Sequence, residues 1–212
     1  VQPVPEKLFT NAEELRLAYS EYQERSLARA GLRKFFIAKY NSSGNLLWVK
    51  NSSSDESVVY SADIHNNILY ICGSFLFPFN YNGTTLTSAG GFDGFILKLD
   101  TAATVISSLQ FGGTGDDAFE KIKSAPNGDV VLCGSYSGSF NFSGNLLVSH
   151  GMQDCFLMKL DAGLNNLWVA TAGSTGNDEF RTLAIDTSGN IYVGGKAYWN
   201  ITFDPSYTLP LL

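Results

Sequence analysis

The sequence predicts an all-β protein built from repeated groups of strands, and three observations support this fold class. The 212 residues include 21 Gly and 13% aromatic residues, a combination typical of strands joined by tight turns. Short apolar runs alternate with turn residues along most of the chain, as in all-β repeats. The same sequence blocks also return at a nearly constant spacing, which indicates a repeat architecture.

Three sequence blocks recur in the same order. Phe95 and Phe156 each begin a Phe-x-x-Lys pattern, and an earlier copy of the pattern begins at Phe36. A Gly-x-Asp loop and an apolar strand containing Gly recur at the same interval as these two phenylalanines. The copies of the three blocks are residues 36–40, 91–100 and 152–161; 55–58, 115–119 and 176–180; and 71–75, 132–136 and 193–197. Because chance similarity would not preserve one spacing in three blocks, we take the period as structural.

Each period predicts four main strands, which we name a to d. The predicted bounds are 58–64, 118–124 and 180–186 for strand a; 68–73, 130–134 and 191–195 for strand b; the Phe-x-x-Lys block for strand c; and 46–50, 105–110 and 167–171 for strand d. Residues that tolerate positive φ, such as Asn127 and Gly128, separate strand a from strand b and favour a hairpin. Strand b is apolar at nearly every position, so both of its faces should be covered.

Four-stranded antiparallel units with such a period are typical of β-propeller blades, in which each sheet covers its neighbour. A β-sandwich is the alternative, but it does not require a recurrence at one exact interval. We expect a partial ring, with about three blades' worth of four-stranded sheets, in residues 36–212: strands c and d at 36–50, blades at 55–110 and 116–172, and strands a and b at 178–203. Missing chain is expected to supply the other blades; the alternative is that subunits complete each other's ring head to tail.

The N-terminal segment, residues 1–35, differs in composition from the rest of the chain. It holds 11 of the 34 charged residues and only one of the 21 Gly. A capping-box sequence followed by good helix formers predicts an N-terminal helical arm, with a helix at about 11–30. The short apolar stripe of this helix is Leu15, Tyr19 and Tyr22. The stripe is expected to pack on the propeller rim or, as the alternative, to bind a partner protein.

Composition also excludes several classes of protein. The net charge of −6 without a basic block argues against nucleic-acid binding, and no apolar stretch is long enough to span a membrane.

Cys72, Cys133 and Cys155 lack the spacing of a disulfide framework or zinc site and are expected to be buried small hydrophobes. The two histidines, His65 and His150, lie in predicted turns without an acidic or nucleophilic partner identifiable nearby in sequence.

Two acidic pairs are the candidate metal ligands, Asp116 with Asp117 and Asp178 with Glu179. Several carboxylate oxygens could hold Ca²⁺, but the alternating spacing of an EF-hand loop is absent. The favoured interpretation is therefore structural, with each carboxylate accepting backbone N–H bonds within its loop. No other cofactor is predicted.

Lysines recur at equivalent positions of strand c among apolar neighbours. A buried ammonium group needs a partner, so these lysines are expected to be structural. The candidate partners are the recurring carboxylates, with backbone carbonyls as the alternative. The lysines are Lys39, Lys98 and Lys159, and the carboxylates are Glu56, Asp117 and Asp178.

Aromatic residues cluster after each strand b. Their period-two alternation and their recurrence favour core packing, whereas aromatic rings beside Asn and Asp could instead stack on sugars. The patches are Phe75, Phe77, Phe79 and Tyr81; Phe140 and Phe142; and Tyr198, Trp199 and Phe203.

Over residues 32–205 the chain resembles the bacterial β-propeller repeats known as SBBP repeats. Residues 112–117 read Gly-Gly-Thr-Gly-Asp-Asp, residues 186–195 read Asp-Thr-Ser-Gly-Asn-Ile-Tyr-Val-Gly-Gly, and residues 93–99 read Asp-Gly-Phe-Ile-Leu-Lys-Leu. The first copy departs from this pattern, because Lys34 replaces the Asp of strand c and the Gly-Gly loop is missing. The resemblance implies a secreted or cell-surface propeller, frequently part of a larger exported bacterial protein.

The leading functional hypothesis is a non-catalytic protein-interaction or scaffold module in a larger bacterial protein or assembly. Its expected partners are other protein subunits or the missing part of its own chain. The first alternative is a carbohydrate-binding propeller that uses the aromatic loops, and the second is an enzyme with a site at the propeller mouth. Enzymatic activity is not expected, because the prominent polar residues repeat in every unit whereas a catalytic site needs unlike groups in different roles.

Overall fold

Antiparallel strands form the regular structure of the protein in the computed structural model, which describes residues 33–53, 56–203 and 207–209. Within these residues there are eighteen strands and no helix, so the all-β prediction is confirmed. The described residues from Lys34 onward belong to one compact unit. The predicted helix at 11–30, with Leu15, Tyr19 and Tyr22, lies outside the described residues. A membrane-crossing helix is not found in the part of the chain that is described.

The strands fall at the predicted places in each period. In chain order they are β1 Phe36–Tyr40, β2 Leu46–Asn51, β3 Ser57–His65, β4 Ile68–Phe75, β5 Phe79–Tyr81, β6 Thr84–Leu86, β7 Asp93–Leu99, β8 Val105–Phe111, β9 Ala118–Ser124, β10 Val130–Tyr136, β11 Ser139–Phe142, β12 Asn145–Val148, β13 Asp154–Leu160, β14 Asn166–Gly173, β15 Glu179–Ile185, β16 Ile191–Lys196, β17 Ile201–Phe203 and β18 Tyr207–Leu209. Strands a to d are confirmed within two residues at each end, and the positive φ of Gly128 confirms the predicted turn. The sequence does not predict the short hairpins β5–β6, β11–β12 and β17–β18.

Two complete four-stranded units follow the chain order. The first unit is the antiparallel sheet β3-β4-β7-β8, and the second is β9-β10-β13-β14. The hairpin β17–β18 adds to the outer edge of β14 and extends the second sheet to six strands. Each unit is therefore a meander of strands a, b, c and d, as the period predicts.

Incomplete units flank the two complete ones. Strands β1 and β2 form a two-stranded sheet that corresponds to strands c and d, and β15 and β16 form one that corresponds to strands a and b. Among the described residues, β1 has no strand-b partner and β16 has no strand-c partner. Each half-unit thus leaves one long strand edge open.

Apolar side chains of strands b and c alternate between two separate core clusters. Val130 and Leu132 of β10 belong to the cluster shared with the first unit, whereas Val131 and Cys133 belong to the cluster shared with β15. Successive sheets therefore pack face to face, and the prediction that strand b is covered on both faces is confirmed for β4 and β10 but not for β16, which has exposed positions. Cys72, Cys133 and Cys155 are buried and free, also as predicted.

Two of the three recurring lysines join neighbouring units at the c–d end of the sheet. Lys39 Nζ donates to the Thr101 carbonyl at 3.3 Å, and Lys98 Nζ donates to the Ala162 carbonyl at 2.6 Å. Both acceptors lie in the c–d turn of the following unit, so the backbone-carbonyl alternative is confirmed for these two lysines. Lys159 instead pairs with Asp129 at 2.8 Å.

The predicted carboxylate partners of these lysines were wrong. Lys98 lies near the end of β7, opposite Tyr70, whereas Asp93 begins that strand opposite Phe75. Asp117 and Asp178 lie at the end of the sheet where strand c begins, about 15 Å from the lysine position at the rise of an extended strand. The recurrence in sequence indicated that the lysines and the carboxylates are both structural. It did not indicate that they lie at opposite ends of the sheet.

Strand b contains a recurring glycine at a β-bulge. The register of β9 and β10 shifts beside Gly134, and a Cβ atom there would collide with the Ala118 carbonyl oxygen. Gly73 and Gly195 meet the same obstruction from Val58 and Glu179. The bulge therefore requires glycine in all three copies.

We predict that Gly134→Ala lowers the free energy of unfolding by at least ~2 kcal/mol, because backbone atoms must move to admit the methyl group. The matched control is Gly163→Ala, whose Cβ would meet only the side-chain ends of Asn165 and Asp161, at 3.0 and 3.2 Å. Urea unfolding of both variants measures the effect. Equal stability of the two variants would contradict the bulge explanation.

Candidate functional site

In each candidate metal-ligand pair, one carboxylate caps the loop in which it lies. Asp117 is buried between β8 and β9, where its Oδ2 accepts the Gly113 N–H at 2.9 Å and its Oδ1 accepts the Ser137 N–H at 3.1 Å. Asp178 repeats this arrangement with the N–H groups of Ser174, at 2.7 Å, and of Tyr198, at 3.1 Å. The loop-capping interpretation is confirmed for both residues.

The neighbouring acidic residues turn to other partners. Asp116 is exposed and accepts the Phe92 N–H at 3.0 Å. Glu179 forms ion pairs with Arg181 at 2.5 Å and with Lys196 at 3.0 Å. Across the described ranges, no three His, Cys, Asp or Glu side chains come together as a set that could hold a metal ion. The structure thus separates the members of each acidic pair that could have shared Ca²⁺.

A different carboxyl pair is buried at the same junction. Asp93 is fully buried, and its Oδ2 accepts hydrogen bonds from the Ala89 N–H at 3.0 Å and the Gln110 amide at 2.5 Å. Its Oδ1 has no hydrogen-bond partner. A Cβ atom on Gly112 would lie 2.8 Å from both Asp93 Oδ1 and Asp117 Oδ2, so the two carboxyl groups border the same small space.

Burial and like charge raise the pKa values of these groups. Burial is the main cause that raises the pKa of Asp117 to about 7, and the negative charges of Asp93 and Asp116 raise it further. Burial also raises the pKa of Asp93. Near neutral pH Asp117 is therefore partly protonated, and the space beside Gly112 would let its proton be shared with the unpartnered Asp93 oxygen.

The carboxyl pair recurs between the second unit and the last half-unit. Asp154 occupies the place of Asp93, and its Oδ2 accepts hydrogen bonds from the His150 N–H at 2.9 Å and from His150 Nδ1 at 3.1 Å. Its Oδ1 is again unpartnered, and the charge of Asp178 adds to the effect of burial in raising the pKa of Asp154. Sequence reasoning missed these partners, although Asp93 and Asp154 each begin strand c and precede the capping carboxylate by the same interval.

Most of the aromatic patches form core, as the favoured interpretation predicts. Phe75, Phe79, Tyr81 and Phe142 are buried. Phe77, Tyr198 and Trp199 are the exceptions, since they are exposed. The structure therefore distinguishes within each patch between rings that pack and rings that face outward.

Tyr198 and Trp199 line a surface cavity of about 790 Å³. They follow β16 immediately, and the d–a loop after β14 forms the opposite wall. Trp199 is 63% exposed and Tyr198 is 58% exposed. The lining residues are His150, Gly173, Ser174, Thr175, Tyr198, Trp199, Asn200 and Thr202. Two large aromatic rings beside several neutral polar groups make this cavity the candidate binding site.

His150 differs from the sequence interpretation. The sequence predicts no nearby acidic partner, but His150 Nδ1 lies 3.1 Å from Asp154 Oδ2, four residues later in the chain. Ser174 lines the same cavity, yet its hydroxyl group donates to Asp178 at 2.7 Å. The serine proton is thus directed to the capping carboxylate rather than to the imidazole. His65, by contrast, lies at the β3–β4 turn and contacts Asn66.

We predict that Asp93→Asn stabilises the protein at pH 8 by about 1 kcal/mol, because it removes one of two buried like charges. The new amide group can donate to Asp117, while the remaining oxygen can still accept from Ala89 and Gln110. In the native protein the raised pKa of Asp117 stabilises the fold at acidic pH, and this stabilisation is lost as the pH rises through about 7.

Urea unfolding at pH 5 and pH 8 tests this prediction. Asp93→Asn should flatten the decrease in stability between these pH values. Asp116→Asn removes an exposed charge next to Asp117 and should retain most of the decrease. If Asp93→Asn keeps the native pH dependence, the paired carboxyl groups do not share a proton.

Comparison with known proteins does not assign the chain to a family. No protein-family model matches the sequence, and no curated protein matches it either. The relation to SBBP repeats stays a prediction that depends on the motifs quoted above. The open strand edges and the aromatic cavity are therefore the features from which a function can be inferred.

Proposed function

We infer that this chain is a section of a β-propeller and acts as a non-catalytic protein-interaction module. A single observation carries the proposal: Phe36 is 69% exposed, whereas Phe95 and Phe156, its counterparts in the complete units, are both 0% exposed. The difference supports a missing neighbour beside β1. A propeller supplies such a neighbour, because each blade covers the face of the next.

The open edge of β1 has the composition of an internal strand. Tyr40 is exposed, although its counterparts Leu99 and Leu160 in strand c are buried. An edge this apolar, with unpaired backbone groups, favours pairing with another strand. In the complete units that position is taken by strand b, for example β4 against β7.

The open edge of β16 requires a strand-c partner, whereas the open edge of β1 requires a strand-b partner. It corresponds to strand b, and in the complete units strand b pairs with strand c. Tyr192 of β16 is exposed, while its counterpart Val131 is buried. The two edges therefore favour partners that are themselves propeller units, either further chain or another subunit. The backbone pairing and the apolar side chains would together hold such an assembly.

Two further features belong to this proposal. The SBBP-like motifs favour a bacterial protein that is exported to the cell surface or the extracellular space. The predicted helix at 11–30, with Leu15, Tyr19 and Tyr22, is proposed as a second contact with the partner. The repeated capping carboxylates support a structural rather than a catalytic use of the acidic residues, since backbone N–H groups engage Asp117 and Asp178.

We predict that the chain self-associates through its open edges and that Phe36→Glu weakens this association at least about tenfold, because it places a charge in an apolar strand contact. Each copy offers both a strand-c edge and a strand-b edge, so a second copy is the available probe. Sedimentation velocity over a range of protein concentrations measures the association.

The matched control is Ile106→Glu, which changes an exposed apolar residue of β8, the outermost strand of a complete four-stranded sheet. This variant should associate like the native chain. A native chain that stays monomeric at high concentration, or equal association by both variants, would contradict the proposed role of the edges.

A further inference from the structure

We propose that the cavity beside Trp199 binds a neutral carbohydrate. The cavity is separate from the open strand edges that carry the interaction module, so the two proposals stand independently. Three features of the cavity support a carbohydrate: its departure from the repeat, the chemistry of its lining, and the contacts behind its rings.

The residues that line the cavity depart from the repeat. In the preceding copy the place of Trp199 is held by Gly138, the place of Tyr198 by Ser137, and the place of His150 by Ala89. The preceding junction forms with these small side chains, and Asp117 caps it in the same way. The fold therefore does not require aromatic rings here, and the convergence of Tyr198 and Trp199 on one cavity indicates a surface role.

The buried side chains behind the cavity are smaller than those at the preceding junction, which leaves more space for a ligand. At the preceding junction, the ring of Phe140 lies against Gly113 and contacts Phe111, with the ring centroids 4.9 Å apart. The corresponding residues at the last junction are Ile201 and Ala172. Two phenyl rings of one junction are thus replaced by smaller side chains at the other.

Exposure of Trp199 does not arise from the open edge of β16. Phe77 holds the same position in the first unit, which has neighbouring sheets on both sides, and it is still 49% exposed. This position therefore faces outward even where the neighbouring units are present. A further unit beside β16 would leave the ring accessible to a ligand.

The chemistry of the lining favours a neutral ligand with many hydroxyl groups. The described lining residues include no Asp, Glu, Lys or Arg. The hydroxyl group of Thr175 and the imidazole of His150 can donate to or accept from ligand hydroxyl groups, whereas the Ser174 hydroxyl already donates to Asp178. Flat aromatic rings can stack on the apolar face of a sugar ring. Charged ligands would find no fixed counter-charge. The volume of about 790 Å³ suits a short oligosaccharide.

Contacts behind the cavity hold its side chains in place. Asp154 engages His150 Nδ1, so Nε2 is the ring nitrogen available to a ligand hydroxyl. Lys196 lies 5.4 Å from the centre of the Tyr198 ring and is paired with Glu179. Trp199 lies close to Gly176, where a Cβ atom would come within 3.1 Å of the ring. Supported rings lose little conformational freedom on binding, which favours affinity.

The test is calorimetric titration of the native chain with three neutral oligosaccharides, namely cellohexaose, maltohexaose and N-acetylated chitohexaose, and with acidic polygalacturonate. We expect at least one neutral oligosaccharide to bind, and polygalacturonate to bind more weakly. Trp199→Ala should weaken binding at least about tenfold, as loss of a central aromatic contact does. Phe77→Ala is the matched control and should bind like the native chain.

Trp199→Phe keeps a flat ring and should retain most of the affinity, and thermal unfolding shows whether each variant is folded. Failure of all three neutral oligosaccharides to bind, unchanged affinity in Trp199→Ala, or preference for polygalacturonate would each overturn the proposal. None of these outcomes affects the proposed role of the strand edges, because Phe36 lies in β1, outside the cavity lining.

Discussion

Burial of both faces of each central strand is the constraint on which the rest of the structure depends. Val130 and Val131 are adjacent in β10, yet they enter different core clusters because successive side chains leave opposite faces of a strand. A sheet with two apolar faces is stable only between two other sheets. The face-to-face stacking of the units follows from this need.

At the junction between the two complete units, the two ends are held by opposite charges that meet opposite backbone groups. At one end, buried carboxylates such as Asp117 accept loop N–H groups. At the other end, ammonium groups such as that of Lys98 donate to turn carbonyls. Both kinds of contact supply hydrogen-bond partners to backbone atoms that lie outside the strand pairings. The carboxylate end also places Asp93 beside Asp117. Burial, together with the charge of Asp93, raises the pKa of Asp117 at that end.

Residues that recur in every unit and residues that differ between units indicate different roles in this chain. Residues that recur at every junction are explained by the fold, since Asp117 and Asp178 both cap their loops. Trp199 and His150 break the pattern, and the structure brings them to one cavity. His150 also binds the buried carboxylate of Asp154, so the exposed ring of Trp199 is the more informative candidate for binding.

The sequence by itself determined the strands, their order within each unit, the two-sided burial of strand b and the capping role of Asp117, because each depends on local periodicity or on recurrence at one spacing. Tertiary structure decided which residues meet across that spacing. The pairing of Asp93 with Asp117, the carbonyl partners of Lys39 and Lys98, and the cavity at Trp199 all join segments from different loops or sheets. Side-chain direction and the end of the sheet at which a residue lies set these contacts, and neither is encoded in a repeat period.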